Sequence, residues 1–257
     1  MTSLRAWVTV ALSLATYNVV TPGYVTAAET NKAFPKQNWT FSGIFGNFDN
    51  ASVQRGLQVY LEVCANCHSL EYVAYRNLSE IGYDDDQIKA IAEQYEVEDG
   101  PDNEGTMFMR NARPSDYFVS PYANEKEASF MNNGAIPPDL SLLYKARPGG
   151  ADYIYAVLTG YGEPDEHEVP DGLYFNTHFA GAAIAMPQPL YGDDVEYQDG
   201  TEASLEQESR DVTAFLAWAA EPSLGVRKQL GLKVILFLIA LTALLYATKR
   251  KIWGDIH

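Results

Sequence analysis

The chain has 257 residues, enough for one large domain or two small ones with a buried core. Acidic residues outnumber basic residues by 34 to 18, so the formal charge is −16, which excludes nucleic acid as a natural partner because its phosphates would repel the chain. Hydrophobic residues make up 47% of the sequence, and this fraction excludes a wholly disordered protein.

The first 28 residues have the pattern of a secretory signal peptide. Arg5 supplies a positive charge, residues 6–15 form a short apolar core, and small residues before Glu29 offer a cleavage site. An uncleaved N-terminal anchor is the alternative. The pattern predicts that residues 29–225 form a body exported to the periplasmic side of a bacterial inner membrane.

Four amphipathic helices are predicted in this body from apolar residues at helical spacing. They cover residues 50–64, 86–95, 151–159 and 204–220. The first has Asn50 or Ser52 as its N-cap, and the last opens with Ser204 and Gln207 in capping-box spacing. The connecting stretches 96–124, 130–150 and 160–200 are rich in Pro, Gly, Asn and Tyr. We therefore expect a mainly α domain whose long irregular loops wrap around a large apolar group.

The only two cysteines belong to one motif at the end of the first predicted helix. Cys64, Cys67 and His68 form C-x-x-C-H, the attachment signature of c-type haem. Two thiols at this spacing can each form a thioether with a haem vinyl group, and the adjacent imidazole can ligate the iron. The alternative is a redox-active dithiol, which does not require the histidine and usually lies beside a βαβ pattern. The motif predicts one covalently bound haem c.

The C-terminal region has the pattern of a membrane anchor. Residues 230–248 carry a single charge, Lys233, and would span about 28 Å as a helix, which matches a hydrocarbon core. Three basic residues follow, Lys249, Arg250 and Lys251. By the positive-inside rule we predict a single-pass anchor over residues 226–249 and a cytoplasmic tail over 250–257.

Five blocks of the sequence, in order, resemble the cytochrome c1 family, the membrane-anchored c-type cytochromes of the bc1 complex (ubiquinol–cytochrome c reductase). The blocks are RGLQVYLEVCANCHSLEYVAYRNL, EDGPDNEGTMFMR, NNGAIPPDLSLLYKARPGGADYIYAVLTGY, GLYFNTHFAGAAIAMPQPLY and RDVTAFLAWAAEPSLGVRKQLGLK. The resemblance covers nearly the whole body and the anchor. It implies a haem c domain with one C-terminal transmembrane helix.

The resemblance also implies the residues of the haem site. His68 would be one axial iron ligand and Met186 the other, while the residues alone leave the second ligand open among the methionines and other histidines, with His178 the main rival. Arg147 matches the arginine that pairs with a haem propionate. The remaining pocket residues implied are Tyr153 and Asn132, near the propionates, and Pro138, packed near His68.

The acidity of the body suggests a partner. Residues 29–225 hold 11 basic and 33 acidic residues, a net charge of −22. Solvation of exposed loops accounts for any single acidic run, but the summed field should attract a basic protein. The resemblance implies cytochrome b and a Rieske iron–sulfur protein as partners in a dimeric complex. Electrons would pass from the Rieske protein to soluble basic cytochrome c, with no bond chemistry in this subunit.

Two other functions stay open from the residues alone. A haem enzyme such as a peroxidase would need an open iron position and therefore no ligand at Met186. A membrane-tethered interaction protein would use the cysteine pair only for structure.

Overall fold

The computed structural model describes residues 34–163 and 169–254. The predicted signal peptide, residues 1–28, lies outside the described residues, as does the end of the predicted tail, 255–257. The described part has a helical body and one long C-terminal helix. The fold class predicted from the sequence, mainly α with long irregular loops and one C-terminal helix long enough to span a membrane, is confirmed.

Most helices and strands are short, and the two longest helices are the last two in the chain. The helices are α1 (Asn50–Glu62), α2 (Asp85–Ala92), α3 (Glu125–Met131), α4 (Leu143–Ala146), α5 (Ala151–Thr159), α6 (Leu205–Ala220) and α7 (Leu224–Trp253). Two antiparallel pairs accompany them: β1 (Glu96–Asp99) with β2 (Phe108–Asn111), and β3 (Tyr174–Phe175) with β4 (Ala183–Ile184). Segments of 3-10 helix cover Cys64–Asn66, Tyr75–Ile81 and Ala180–Ala182.

The core forms where α1 crosses α6. Gly56 lies at the crossing, and a Cβ there would collide with the backbone of Asp211, so only glycine allows this approach. Arg55 on α1 donates to the buried carboxylate of Asp211 at 2.8 Å. Around the crossing, Tyr60 packs against Phe215 with ring centroids 5.5 Å apart. The crossing orients α1, and with it the motif that follows α1.

The helix ends differ in detail from the sequence prediction. Asp49, rather than Asn50 or Ser52, caps α1 by accepting from the Ala51 N–H at 3.3 Å. The hydroxyl of Ser52 donates instead to Asp211 at 2.5 Å. Only half of the predicted capping box of α6 forms, because Gln207 donates its side-chain amide to the same carboxylate at 2.8 Å. A buried carboxylate needs several donors, and this need overrides the local capping pattern.

The predicted loops contain regular structure that the sequence analysis missed. The β1–β2 hairpin lies within 96–124, α4 within 130–150 and the β3–β4 pair within 160–200. Arg110 on β2 makes ion pairs with Asp99 and Asp116, which ties the hairpin to the following loop. Elements of two to four residues are too short to show a hydrophobic period, so composition alone suggested irregular loops.

The C-terminal helix leaves the body as a separate feature. Helix α7 has 30 residues and includes an apolar window that is not buried against the rest of the chain. It extends beyond both ends of the predicted apolar segment, so Arg250 and Lys251 still lie on the helix. Among the described residues it is the one helix long and apolar enough to cross a membrane.

Candidate haem site

The C-x-x-C-H motif lies on a tight turn directly after α1. The backbone N–H groups of Cys67 and His68 both donate to the Cys64 carbonyl, at 3.1 and 2.9 Å. Asn66 covers the end of α1 by donating its side-chain amide to the carbonyls of Glu62 and Val63, each at 3.1 Å. Carbonyls at a helix C-terminus lack partners within the helix, and the asparagine satisfies two of them. The turn therefore holds both thiols and the imidazole in one short segment.

The two sulfurs have different surroundings. The two cysteines are not joined in a disulfide, and Cys67 is exposed whereas Cys64 is half-buried. Burial, with a smaller contribution from Cys67, raises the pKa of the Cys64 thiol to about 12. A thiol reacts as its thiolate, so this environment makes Cys64 a poor attacking group. A thioether sulfur carries no proton and suits the same position.

The imidazole of His68 is oriented by a carbonyl. Its Nδ1 lies 2.8 Å from the carbonyl oxygen of Pro138. Because a carbonyl can only accept, Nδ1 carries the proton and Nε2 keeps its lone pair. Burial also lowers the pKa of His68 and thus favours the neutral ring. A neutral imidazole with Nδ1 fixed by a hydrogen bond is the usual state of an iron-ligating histidine.

The segment that contains Pro138 is fastened to the motif by a set of hydrogen bonds. The carboxylate of Asp139 accepts from the Ser69 hydroxyl at 2.9 Å and from the Glu71 N–H at 2.8 Å. The Leu140 N–H donates to the Ser69 carbonyl at 2.9 Å. On the other side, the Tyr60 hydroxyl donates to the His68 carbonyl at 3.1 Å. These bonds fix the backbone of His68 and the segment that orients its ring, and the sequence analysis did not single out Asp139, Ser69 or Tyr60.

Met186 lies just after the β3–β4 pair. Its side chain is half-buried, and its carbonyl accepts from the Tyr161 hydroxyl at 3.0 Å. The buried Asn176 fastens the pair to the end of α5, since its side-chain amide donates to the Val157 carbonyl at 2.7 Å. Its side-chain oxygen accepts from the backbone of His178 at 3.0 Å. Tyr161 and Asn176 are thus positioning residues for the methionine loop, and the sequence analysis missed both.

The other predicted pocket residues lie on separate elements. Arg147 directly follows α4, is exposed, and donates to the carbonyl of Ala146 at 3.2 Å. Tyr153 on α5 packs against Phe34, with ring centroids 5.3 Å apart. The ring of His178 lies on the same phenylalanine at 6.4 Å. Tyr153 and the rival ligand are therefore neighbours through one aromatic ring.

Asn132 ends α3 as its C-cap. Its side-chain amide donates to the Tyr122 hydroxyl at 3.0 Å and to the Ala128 carbonyl at 2.7 Å. Of the predicted pocket residues, Pro138 is the one whose direct contact with His68 the structure describes. The roles of Arg147, Tyr153 and Asn132 toward a propionate stay predictions.

Comparison with known proteins identifies the family. The sequence profile of the cytochrome C1 family matches residues 39–256, which spans most of the chain. A protein of Rhodospirillum rubrum named cytochrome c1 is 49% identical, with 91% of this chain and 92% of that protein covered. The chain belongs to the cytochrome c1 family. The match begins at Trp39 and includes the motif, the methionine loop and α7.

Two further relatives are a eukaryotic protein and a longer bacterial protein. The mitochondrial "cytochrome c1, heme protein" of Schizosaccharomyces pombe is 47% identical, with 93% of this chain and 79% of that protein covered. The "cytochrome b/c1" of Bradyrhizobium diazoefficiens is 44% identical over 98% of this chain. This chain covers 41% of that longer protein.

Apolar side chains are exposed on the segment that precedes Pro138. The segment that leads into Pro138 exposes Phe130, Met131 and Ile136, with 85%, 64% and 51% of their surface accessible. Exposed apolar side chains grouped on one short segment favour contact with another apolar group. Two open clefts of about 420 and 500 Å3 lie elsewhere and include none of the four predicted iron- and haem-attaching residues. The candidate site is therefore marked by the motif and by the hydrogen bond of His68 to Pro138, and not by a cleft.

Proposed function

We propose that this chain is the haem-carrying electron-transfer subunit of a bc1-type quinol–cytochrome c reductase. The observation that carries the proposal is the orientation of His68, whose Nδ1 donates to Pro138 while Nε2 stays available, within a C-x-x-C-H turn of a cytochrome c1 family chain. We propose that Cys64 and Cys67 attach a single haem c through thioethers.

The chain's own residues would hold the group and set its electronic properties. His68 and Met186 would be the axial ligands, and Arg147, Tyr153, Asn132 and Pro138 would line the pocket. When bound, the haem supplies one-electron chemistry between ferrous and ferric iron. The protein makes and breaks no bonds in this scheme. Its contribution would be to orient the imidazole through Pro138 and Asp139 and to present the methionine.

The partners proposed follow from the family and from charge. The names of the relatives include a cytochrome b/c1 protein, which supports a complex with cytochrome b, and we add a Rieske protein as donor and a dimeric assembly. The acidic body would attract a basic soluble cytochrome c as acceptor. Some of the acidic side chains stabilise the fold instead. Asp99 and Asp116 form ion pairs with Arg110, and Asp199 and Asp211 form ion pairs with Arg55.

The topology proposed places the haem body outside the cell membrane. Helix α7 would cross the bacterial inner membrane once, with the periplasmic body before it and the basic end in the cytoplasm. Residues 1–28 would be removed as a signal peptide after export.

The covalent bond gives the direct test of the proposal. Haem should stay with the polypeptide through acid–acetone extraction and denaturing electrophoresis, because a thioether does not dissociate when the fold is lost. The measurement is a peroxidase-active haem stain at the mass of this chain. A matched variant with Cys64→Ser and Cys67→Ser should lose the stained band. Loss of haem from the unmodified chain under the same conditions contradicts covalent attachment.

Salt should slow the reaction with the proposed acceptor. A net charge of −22 over residues 29–225 steers a basic cytochrome c, and the screening length falls to about 8 Å at physiological ionic strength. We expect the second-order rate of electron transfer, measured by stopped-flow absorbance, to fall steadily as salt is raised from low concentration. An uncharged reductant of the haem serves as the control and should be insensitive to salt. A flat or rising rate with cytochrome c removes electrostatic steering from the proposal.

A further inference from the structure

A short turn at the base of the body exposes two large apolar side chains. Residues 42–46 (the basal turn) run from Ser42 to Gly46 and carry Ile44 and Phe45 at the tip, with 75% and 76% of their surface accessible. The Gly46 N–H closes the turn on the Gly43 carbonyl at 3.4 Å. Phe41, immediately before the turn, is by contrast 4% exposed. The turn thus directs its two largest apolar side chains away from the core.

The flanks of the basal turn are firmly packed, so its position is determined. Phe41 stacks on Trp39 with ring centroids 5.5 Å apart and meets Phe48, beyond the turn, at 5.1 Å. The Asn47 N–H donates to the Thr40 carbonyl at 3.1 Å, which closes the base of the loop. Ile44 and Phe45 are therefore exposed on a loop whose two ends are fixed by packing and hydrogen bonding.

Helix α7 fastens the basal turn at the level where the apolar segment begins. The ammonium group of Lys228 donates to the carbonyls of Phe41 and Gly46, at 2.6 and 3.3 Å. Lys228 precedes Leu230, the first residue of the apolar segment, by two positions, or about 3 Å along a helix axis. Gly225 in the first turn of α7 also lies against Asn47, leaving no room for a Cβ.

Charged groups near the start of α7 match the head-group layer of a bilayer. Glu221 pairs with Arg227 at 2.5 Å and with Lys145 at 3.8 Å, and both cations are about half exposed. Cations at the entrance of a membrane helix favour lipid phosphates. Two exposed apolar side chains on a turn that Lys228 binds to this end of α7 have the composition of a segment that lies in a membrane interface.

We infer that the basal turn is a second membrane contact, in which Ile44 and Phe45 enter the acyl-chain region of the leaflet on the side of the haem body. The occupant of this surface is phospholipid, since the turn is continuous with the start of the membrane helix through Lys228. Together with α7 it fixes the body at two points, and so restricts its rotation about the helix axis. The inference rests on the proposed function for the anchor itself.

Photochemical crosslinking in native membranes tests the occupant directly. Phe45 is replaced with benzoylphenylalanine in the full-length chain, the membranes are irradiated, and the adducts are identified by mass spectrometry. We expect phospholipid adducts at Phe45 at a yield comparable to that from the same substitution at Leu236, in the middle of α7. The same probe at Tyr191, which is 70% exposed on the body, should give no lipid adduct above background. The same substitution at Ile44 checks that the result does not depend on the position of the probe.

The outcomes separate this inference from the function on which it rests. Lipid adducts at Leu236 without any at Ile44 or Phe45 overturn the membrane contact and leave the anchor in place. Absence of lipid adducts at Leu236 as well overturns the anchor. Adducts of Ile44 and Phe45 to another polypeptide show that a partner subunit covers the turn, and they also overturn the inference. The visible spectrum of each variant confirms that the haem domain has folded.

Discussion

Replacing Met186 with Leu should lower the reduction potential of the haem and stop electron flow to cytochrome c. A thioether ligand stabilises ferrous over ferric iron, so a histidine–methionine pair has a higher potential than two nitrogen ligands or an open position. We expect a fall on the order of 0.1 V or more, within the range of about 0.8 V over which axial ligands set haem potentials. Each 59 mV changes the equilibrium constant of a one-electron transfer about tenfold. Redox titration of the haem absorbance measures the shift.

Leucine has nearly the volume of methionine, so this variant separates ligation from packing. Haem should remain attached through Cys64 and Cys67, and the weak near-infrared sulfur–iron band of the oxidised protein should disappear. Met109→Leu is a matched control, because that methionine on β2 is 59% exposed and should leave the potential unchanged. If Met186→Leu keeps both the band and the potential, the second ligand is another residue, and His178 is the next to replace.

Ending the chain before Arg227 should convert a membrane protein into a soluble one. The truncation removes nearly all of α7, the one described helix of membrane-spanning length, and keeps the buried Leu224 that closes the core. We expect an exported, haem-loaded body in the periplasmic fraction, whereas the full chain sediments with membranes. Quantitative haem staining of the two fractions measures the shift.

The exposed pair Ile44 and Phe45 should not retain this fragment on membranes. A few apolar groups give marginal, reversible membrane binding, and the truncation also removes Lys228, which fastens the basal turn. A fragment ending after Trp253 keeps α7 and serves as the membrane-bound control. Membrane retention of the shorter fragment after signal cleavage would show that another segment anchors the chain.

Local sequence patterns predicted the four longest helices of the described body and missed α3 and α4, and they predicted helix ends less well. Helix α5 has the predicted bounds, Ala151–Thr159, because glycine directly follows its apolar period. Helix α2 ends at Ala92 rather than at Tyr95, whose ring packs against Tyr75 at 5.9 Å. The cap of α1 was placed wrongly since Ser52 was engaged by a carboxylate from a distant helix. Periodicity reports which face is buried, whereas a helix end depends on its tertiary neighbours.

For the candidate haem site, too, the sequence predicted some features and the tertiary structure determined others. The sequence alone predicted the motif at Cys64, Cys67 and His68 and the apolar anchor, because a motif and an apolar run are contiguous in the chain. Only the tertiary structure decided which nitrogen of His68 is available, since the Pro138 carbonyl that orients the ring lies 70 positions away. It also showed that Asp139 fastens that segment and that Lys228 reaches the basal turn across 187 positions. Hydrogen bonds between distant segments follow no sequence period, so they become visible only when the chain is folded.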